Sequence, residues 1–321
     1  MPKIFVTRKI PEAGIKLLRK KGYQLKISPH NRVLKKEEII KAGKGSHALL
    51  CLLTDKIDDR IMAGIGSQLK IIANYAVGFD NIDLKAAKKR KIMVTNTPGV
   101  LTTAVAEHAV ALLFAVARRI VESDKFTREG KYKGWEPMLF LGSDLLGKTL
   151  GIVGLGRIGF EIAKRMSQGF DIKIVYYDLF RNKKAEKELR IKYLPLKSLL
   201  KNADFISLHV PLLPQTRHLI GEKELKIMKK TAFLINTSRG PIIDEKALVR
   251  ALSKKIIRGA ALDVFEFEPK LAPGLSKLDN VILTPHTASA TEETRAKMAE
   301  MAAKNIIAGL SGKKPPQLVE I

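Results

Sequence analysis

TLGIVGLGRIGFEIAKRM, residues 149–166, passes from an aliphatic stretch through three glycines into an amphipathic pattern. The run TLGIV predicts a buried strand, and Ile158, Ile162, Ala163 and Met166 recur at the spacing of one helical face. Between them, Gly154, Gly156 and Gly159 form G-x-G-x-x-G. In a strand–turn–helix that binds a dinucleotide, each glycine has its own task. Gly154 permits the tight turn, Gly156 lets the main chain approach a pyrophosphate, and Gly159 lets the helix pack closely on the strand. The helix N-terminus then offers unpaired N–H groups and a positive dipole end to the phosphates. The next strand, KIVYYD, ends in Asp178, nineteen residues after Gly159. A carboxylate there accepts hydrogen bonds from ribose hydroxyls and repels a 2′-phosphate, so NAD is favoured. Arg181 lies close by and leaves NADP possible.

The rest of the chain agrees with an α/β fold. Strand-like runs (KIFVT, QLKIS, ALLCLL, LKIIAN, IMVTN) alternate with helical patterns over the first hundred residues. A second set follows from residue 149: TLGIVG, KIVYYD, DFISLHV, AFLINT, GAALDV and VILTP. Such alternation predicts parallel sheets with helices on both faces, and two sets predict two doubly wound domains. The stretch 102–126, TTAVAEHAVALLFAVARRIVESDKF, reads as one helix that is apolar nearly all round and therefore buried. ATEETRAKMAEMAAKNIIAGLSG reads as a long capped helix returning to the first domain. The expected division is residues 101–287 as a dinucleotide-binding domain, inserted in a substrate domain made of 1–100 and 288–321.

Composition narrows the function classes. The chain has 321 residues, 45% of them hydrophobic, enough for two full cores. No apolar run is long enough to span a membrane, and the N-terminus reads as a first strand rather than a signal peptide. The one cysteine, Cys51, sits in the apolar run HALLCLLT and cannot form an internal disulfide; a reducing, cytoplasmic setting is expected. The formal charge is +26, but the basic runs are scattered and aromatics make up only 6%. That pattern reads as dispersed surface charge, which concentrates anionic substrates, and not as a nucleic-acid groove. No pair of His, Asp or Glu residues has convincing metal-ligand spacing.

A nicotinamide enzyme acting on a carbonyl needs a proton donor and, for an acid substrate, a cation for the carboxylate. INTSRGPIID carries Arg239 just after a strand, ALDVFEFEP carries Glu268 after another, and ILTPHTASAT carries His286 after the last. All three lie beyond C-terminal strand ends, where open α/β sheets bind ligands. His108, on the apolar helix, reads as a core residue. His30, His47 and His218 read as structural or exposed.

NYAVGFDNID, NTPGVLTTAVAEH, GKTLGIVGLGRIG, INTSRG, ALDVFEFEP and PHTASAT occur in an order and spacing that resemble the D-isomer-specific 2-hydroxyacid dehydrogenase family almost end to end. LLCLLTDKID and GWEPMLFLG look most like its glyoxylate and hydroxypyruvate reductases. The resemblance implies a Rossmann cofactor domain inserted in a flavodoxin-like substrate domain, and NAD(P)H-dependent reduction of a small 2-keto acid to the D-2-hydroxy acid. It implies that Arg239 grips the substrate carboxylate, that His286 protonates the keto oxygen, and that Glu268 keeps the imidazole charged. The main-chain amides of Val77 and Gly78 would bind the carboxylate from the first domain, across a cleft that closes. Cofactor contacts are implied for Gly154, Gly156, Arg157, Ile158, Gly159 and Asp178, for His209, Val210 and Pro211, and for Thr237, Ser238, Arg239, Asp263 and His286. A homodimer joined through the cofactor domain is implied too, with Trp135 reaching the neighbour's substrate pocket. Within the family, D-3-phosphoglycerate dehydrogenases are a rival reading, although the chain stops too soon for their regulatory domain. A non-enzymatic, NAD-sensing corepressor-like module is another.

Overall fold

The computed structural model describes residues 1–320. They form two compact units: Met1–Leu101 together with the segment from Ala290 onward, and Thr102–Ser289.

The first unit contains β1 (Lys3–Val6), β2 (Gln24–Ile27), β3 (Ala48–Leu52), β4 (Ile71–Tyr75) and β5 (Met93–Thr95) in the order β2-β1-β3-β4-β5, all parallel. That order is the flavodoxin-like one. Strand residues alternate between two covered faces. Phe5, Leu49, Cys51, Ile72 and Val94 meet Ile39 of α2 (Lys36–Gly43) and Ile61 and Ile65 of α3 (Asp59–Ile65). On the unit's remaining helices, α1 (Glu12–Lys20) packs against α12 (Glu292–Leu310), which also packs on β4. The first contact is close enough that a Cβ at Gly14 would lie 2.3 Å from the Ala299 carbonyl oxygen. α4 (Leu84–Lys89) is capped by Asp83, whose carboxylate accepts from the Ala86 amide.

The second unit holds β6 (Thr149–Val153), β7 (Lys173–Tyr177), β8 (Lys192–Tyr193), β9 (Phe205–Leu208), β10 (Phe233–Asn236), β11 (Gly259–Leu262) and β12 (Val281–Leu283). Their order is β12-β11-β10-β9-β6-β7-β8, all parallel. The strand order reverses between β6 and β9, so their C-terminal ends form the crevice where doubly wound sheets bind ligands. One face is covered by α5 (Thr102–Ala117), α7 (Arg157–Gly169) and α8 (Lys183–Leu189) through Leu113, Ile162, Met166 and Leu189. The other is covered by α9 (Leu196–Asn202), α10 (Glu222–Ile227) and α11 (Glu245–Ser253) through Leu200, Leu225 and Leu248. Each such fully buried aliphatic side chain contributes about 1.5–3 kcal/mol.

Two local expectations are corrected. Residues 102–126 are not one helix: α5 ends at Ala117 and α6 (Ile120–Arg128) begins after Arg119, whose φ of +54° is left-handed. The cause is a tertiary contact, because the Ser143 amide takes the Ala117 carbonyl at 2.8 Å and removes it from helical bonding. The two-residue β8, absent from the strand-like runs read in the sequence, pairs Lys192 with Val175 and Tyr193 with Tyr176. Among the described residues, no helix is long and apolar enough to cross a membrane, and no group of three or more His, Cys, Asp or Glu stands close enough to hold a metal ion.

Candidate active site

β6 ends at Val153, and Gly154 turns the chain with φ +95°, a conformation that disfavours any side chain. A Cβ there would also meet the His209 carbonyl oxygen at 2.7 Å, so the 209–210 segment lies directly on the loop. A Cβ at Gly159 would lie 2.1 Å from the Gly154 carbonyl oxygen; this glycine lets α7 close onto the turn. Gly156 is different. A Cβ there would meet nothing within 4 Å, so the main chain at the N-cap of α7 is open to an incoming group.

Asp178 sits at the end of β7 and is half-buried. Its Oδ2 accepts from the Leu155 amide and its Oδ1 from the Leu179 amide, both at 2.7 Å. The carboxylate thus clamps the glycine loop as well as facing the crevice end of the sheet. Arg181 is engaged by Glu186 at 2.7 Å and lies 5.4 Å from the centre of the Tyr193 ring.

On the other side of the crevice, Asn236 is fully buried at the end of β10 and shapes the 237–239 turn. Its Oδ1 accepts from the amide and hydroxyl of Ser238, and its Nδ2 donates to the Arg239 carbonyl (2.9 Å). The Thr237 hydroxyl is buried without a hydrogen-bond partner, an orphan donor beside the crevice. An open main chain at Gly156 and an orphan hydroxyl at Thr237 both fit a bound dinucleotide. His209 turns its ring away to the Ser207 hydroxyl (2.7 Å), and burial pushes its pKa down to about 3, so it offers main chain rather than charge. Val210 is half-buried and Pro211 exposed, with its carbonyl accepting from Thr216. Arg157 and Ile158 open α7.

Glu268 and His286 meet. Nδ1 of His286 is 3.1 Å from Oε2 of Glu268, and the carboxylate's other oxygen accepts from the Phe265 amide at 3.0 Å. Burial acts to raise the Glu268 carboxyl. The hydrogen bond and charge of His286, the Phe265 amide and the Arg239 charge outweigh it, and the net shift is downward. His286 itself has φ +56°. A non-glycine residue held in the left-handed region costs on the order of 1–3 kcal/mol and clusters at functional sites. The amide of His286 donates to the carbonyls of Asp263 (2.8 Å) and Thr284 (3.0 Å). Arg239, half-buried, donates from Nη1 to the Ser238 carbonyl.

Asp263 is fully buried, and its carboxylate is occupied by the loop that carries His286. Oδ1 accepts from the Thr284 hydroxyl (2.6 Å) and the Thr287 amide (2.8 Å), and Oδ2 from the Ala288 amide (2.8 Å). His108 of α5 joins this group: Nε2 lies 3.3 Å from the Thr284 hydroxyl and 3.4 Å from Asp263 Oδ1. Sequence reasoning left His108 in the core and assigned nothing to Thr284. A lone histidine on an apolar helix carries no local signal of a partner 155 residues away. Val77 and Gly78 lie in the first unit, on a turn after β4 whose carbonyls accept from Asn96 (2.7 Å) and Asn74 (2.8 Å).

Residues 110–288 match the family model for the NAD-binding domain of D-isomer specific 2-hydroxyacid dehydrogenases, more than half of the chain. Among curated relatives, a glyoxylate reductase of Thermococcus litoralis is 53% identical, covering 99% of this chain and 96% of its own. A glyoxylate reductase of Korarchaeum cryptofilum is 52% identical over the same shares. Among solved structures, the TT0316 protein of Thermus thermophilus superposes with a TM-score of 0.93 at 43% identity, covering 99% of this chain and all of that one.

Proposed function

The chain belongs to the D-isomer specific 2-hydroxyacid dehydrogenase family, and from that premise we propose that it reduces glyoxylate or hydroxypyruvate to the corresponding 2-hydroxy acid, in the D form where the carbon is a stereocentre. The cofactor is NAD(P), and the substrate is a small keto acid. The observation that carries the reading is the Glu268–His286 contact at 3.1 Å, on a histidine held at a left-handed φ. Two curated relatives at about half identity are glyoxylate reductases, which supports the substrate class.

A bound nicotinamide would supply the hydride, with its electron pair, for the keto carbon. His286 donates the proton that the keto oxygen takes up, and Glu268 faces the opposite ring nitrogen and stabilises the imidazolium before transfer. Arg239 holds the substrate carboxylate with its planar fork of donors, which fixes the orientation of the carbonyl. The amides of Val77 and Gly78 serve as further carboxylate donors. Asp178 selects NADH over NADPH, since its carboxylate repels a 2′-phosphate and Arg181 is already engaged by Glu186. The active species is a homodimer joined through the cofactor-binding unit, with Trp135 of one copy shaping the other's substrate pocket.

The deciding experiment is a turnover panel of glyoxylate, hydroxypyruvate, pyruvate and phosphohydroxypyruvate with NADH and with NADPH. Turnover is expected to be fastest with glyoxylate or hydroxypyruvate and NADH. Preference for phosphohydroxypyruvate would instead make it a phosphoglycerate dehydrogenase, and no turnover with any keto acid would leave only a binding role.

A further inference from the structure

The segment after Arg239 and the segment before Glu268 are clasped by groups that do no chemistry in the reaction above. A Cβ at Gly240 would lie 1.9 Å from the carbonyl carbon of Phe265, so the two main chains touch with no side chain between them. Further along, the amide of Glu245 donates to Oε2 of Glu266 at 3.2 Å, and the amide of Glu266 donates to Oε2 of Glu245 at 3.2 Å. Each carboxylate therefore holds the other segment's backbone. A third segment closes the clasp. The amide of His218 donates to the Pro241 carbonyl (2.8 Å), its Nε2 lies 2.6 Å from Oε1 of Glu266, and Nη2 of Arg217 lies 3.5 Å from the same oxygen.

The cluster is buried where it matters. The Glu266 side chain is 5% exposed and Glu245 is 2% exposed, whereas the His218 side chain is 40% exposed and closes the solvent side. Two carboxylates in so small a volume need compensating donors, or one of them turns out to water and the segments part. His218 has a φ of +51°, in the left-handed region that non-glycine residues seldom adopt, and its ring meets Glu266.

We propose that His218, Glu266 and Glu245 are positioning residues that hold Arg239 in register with the Glu268–His286 pair. The proposal rests on reading Arg239 and His286 as the groups that meet the substrate and Glu268 as the partner of His286. Gly240 directly follows Arg239 and Glu266 stands two residues before Glu268, so a shift at the clasp reaches both side chains with no slack between. The charged groups set against the clasp are Arg217 and His218, which meet Glu266, and Glu268, which repels Glu245. Burial first, and then repulsion from Glu266 and Glu268, push the Glu245 carboxyl upward, while the Glu266 amide opposes the shift.

The test is His218→Ala against His218→Gln, which keeps a side-chain N–H of similar reach. In His218→Ala, kcat for the keto acid is expected to fall by roughly tenfold to a hundredfold, as misplaced reacting groups cost, with a raised KM for the keto acid. Affinity for NADH, measured by fluorescence titration, should fall far less than kcat, because the glycine loop and Asp178 lie on other strands. His218→Gln should recover most of kcat. Amide hydrogen exchange at Glu245 and Glu266 should speed up in His218→Ala while β6 amides keep their wild-type rates. Unchanged kcat and unchanged exchange would overturn the proposal. So would a uniform loss of kcat and NADH binding in step with the unfolded fraction, which marks a packing residue. If the alanine variant does not fold, Glu266→Gln keeps the shape and removes the charge; normal kcat and normal exchange at Glu245 there overturn the proposal equally. If wild type reduces no keto acid, the reading of the reaction fails, and the exchange rates still decide whether His218 closes the clasp.

Discussion

His286 is held in a backbone conformation that a side chain resists, with its amide donating to the carbonyls of Asp263 and Thr284. His286→Gln should lower kcat by at least roughly a hundredfold, in the range of a lost general acid. NADH affinity should be unchanged, and near-normal kcat would remove His286 from proton transfer. Glu268 gives a second handle through its lowered pKa, set by burial opposed by His286, the Phe265 amide and Arg239. A carboxyl whose folded pKa lies below its ordinary value of about 4.3 adds stability that is fully present above that value. The contribution is lost as pH falls through the depressed folded value. The melting temperature of wild type should therefore exceed that of Glu268→Gln by a constant margin down to roughly pH 4.3, and the margin should shrink below it. A margin independent of pH would mean that the pair with His286 contributes nothing. Arg239→Lys keeps the charge and loses the fork. It should cut kcat/KM for every 2-keto acid, and normal kinetics would mean that the carboxylate is held elsewhere.

The glycine loop allows steric and ligand effects to be separated within one element. Gly159→Ala would set a Cβ 2.1 Å from a backbone oxygen, so both melting temperature and NADH affinity should fall. Gly156→Ala meets no protein atom within 4 Å, so the melting temperature should hold while NADH affinity falls. Equal affinity in wild type and Gly156→Ala would mean that the pyrophosphate does not approach this amide. This loop was legible from the sequence because its signal is local: strand, glycines and helix lie within eighteen residues. Glu268 and His286, expected from motifs that follow strand signals, lie 3.1 Å apart in the fold. What escaped the sequence depends on distant partners. The break at Arg119 has no glycine or proline and is made by Ser143 taking the Ala117 carbonyl. Strand β8 is two residues that pair only because β7 is there. His218, Glu245 and Glu266 lie in three separate segments, and nothing in any one of them names the others. Asp263 was read as a cofactor contact from its motif, and only the fold reveals that its carboxylate is taken up by residues 284–288.

At the scale of the whole molecule, the second unit exposes an apolar surface that a lone chain does not need. Ile120 and Val121 on α6 are each 52% exposed, and Trp135, Met138 and Leu141 in the following loop are 81%, 74% and 51% exposed. Five exposed apolar residues within some twenty residues of chain are what the proposed interface would cover. A second copy of this chain is the partner our proposal names, and the formal charge of +26 opposes that association. Repulsion between like-charged copies is screened over about 8 Å at physiological ionic strength. Apolar burial does not weaken with salt, so the dimer should tighten as salt rises, whereas an assembly held by surface ion pairs would loosen. Light scattering at micromolar concentration and two ionic strengths checks this: a monomer at both, or dissociation at high salt, would sink the apolar interface. Trp135 then tests whether the interface also serves the reaction. If its indole shapes the neighbour's substrate pocket, Trp135→Ala should change the ratio of kcat/KM between glyoxylate and hydroxypyruvate while NADH affinity stays put. A variant that only weakens the dimer, with the ratio unaltered at concentrations where the dimer persists, would make Trp135 an interface anchor and leave substrate choice to residues of a single chain.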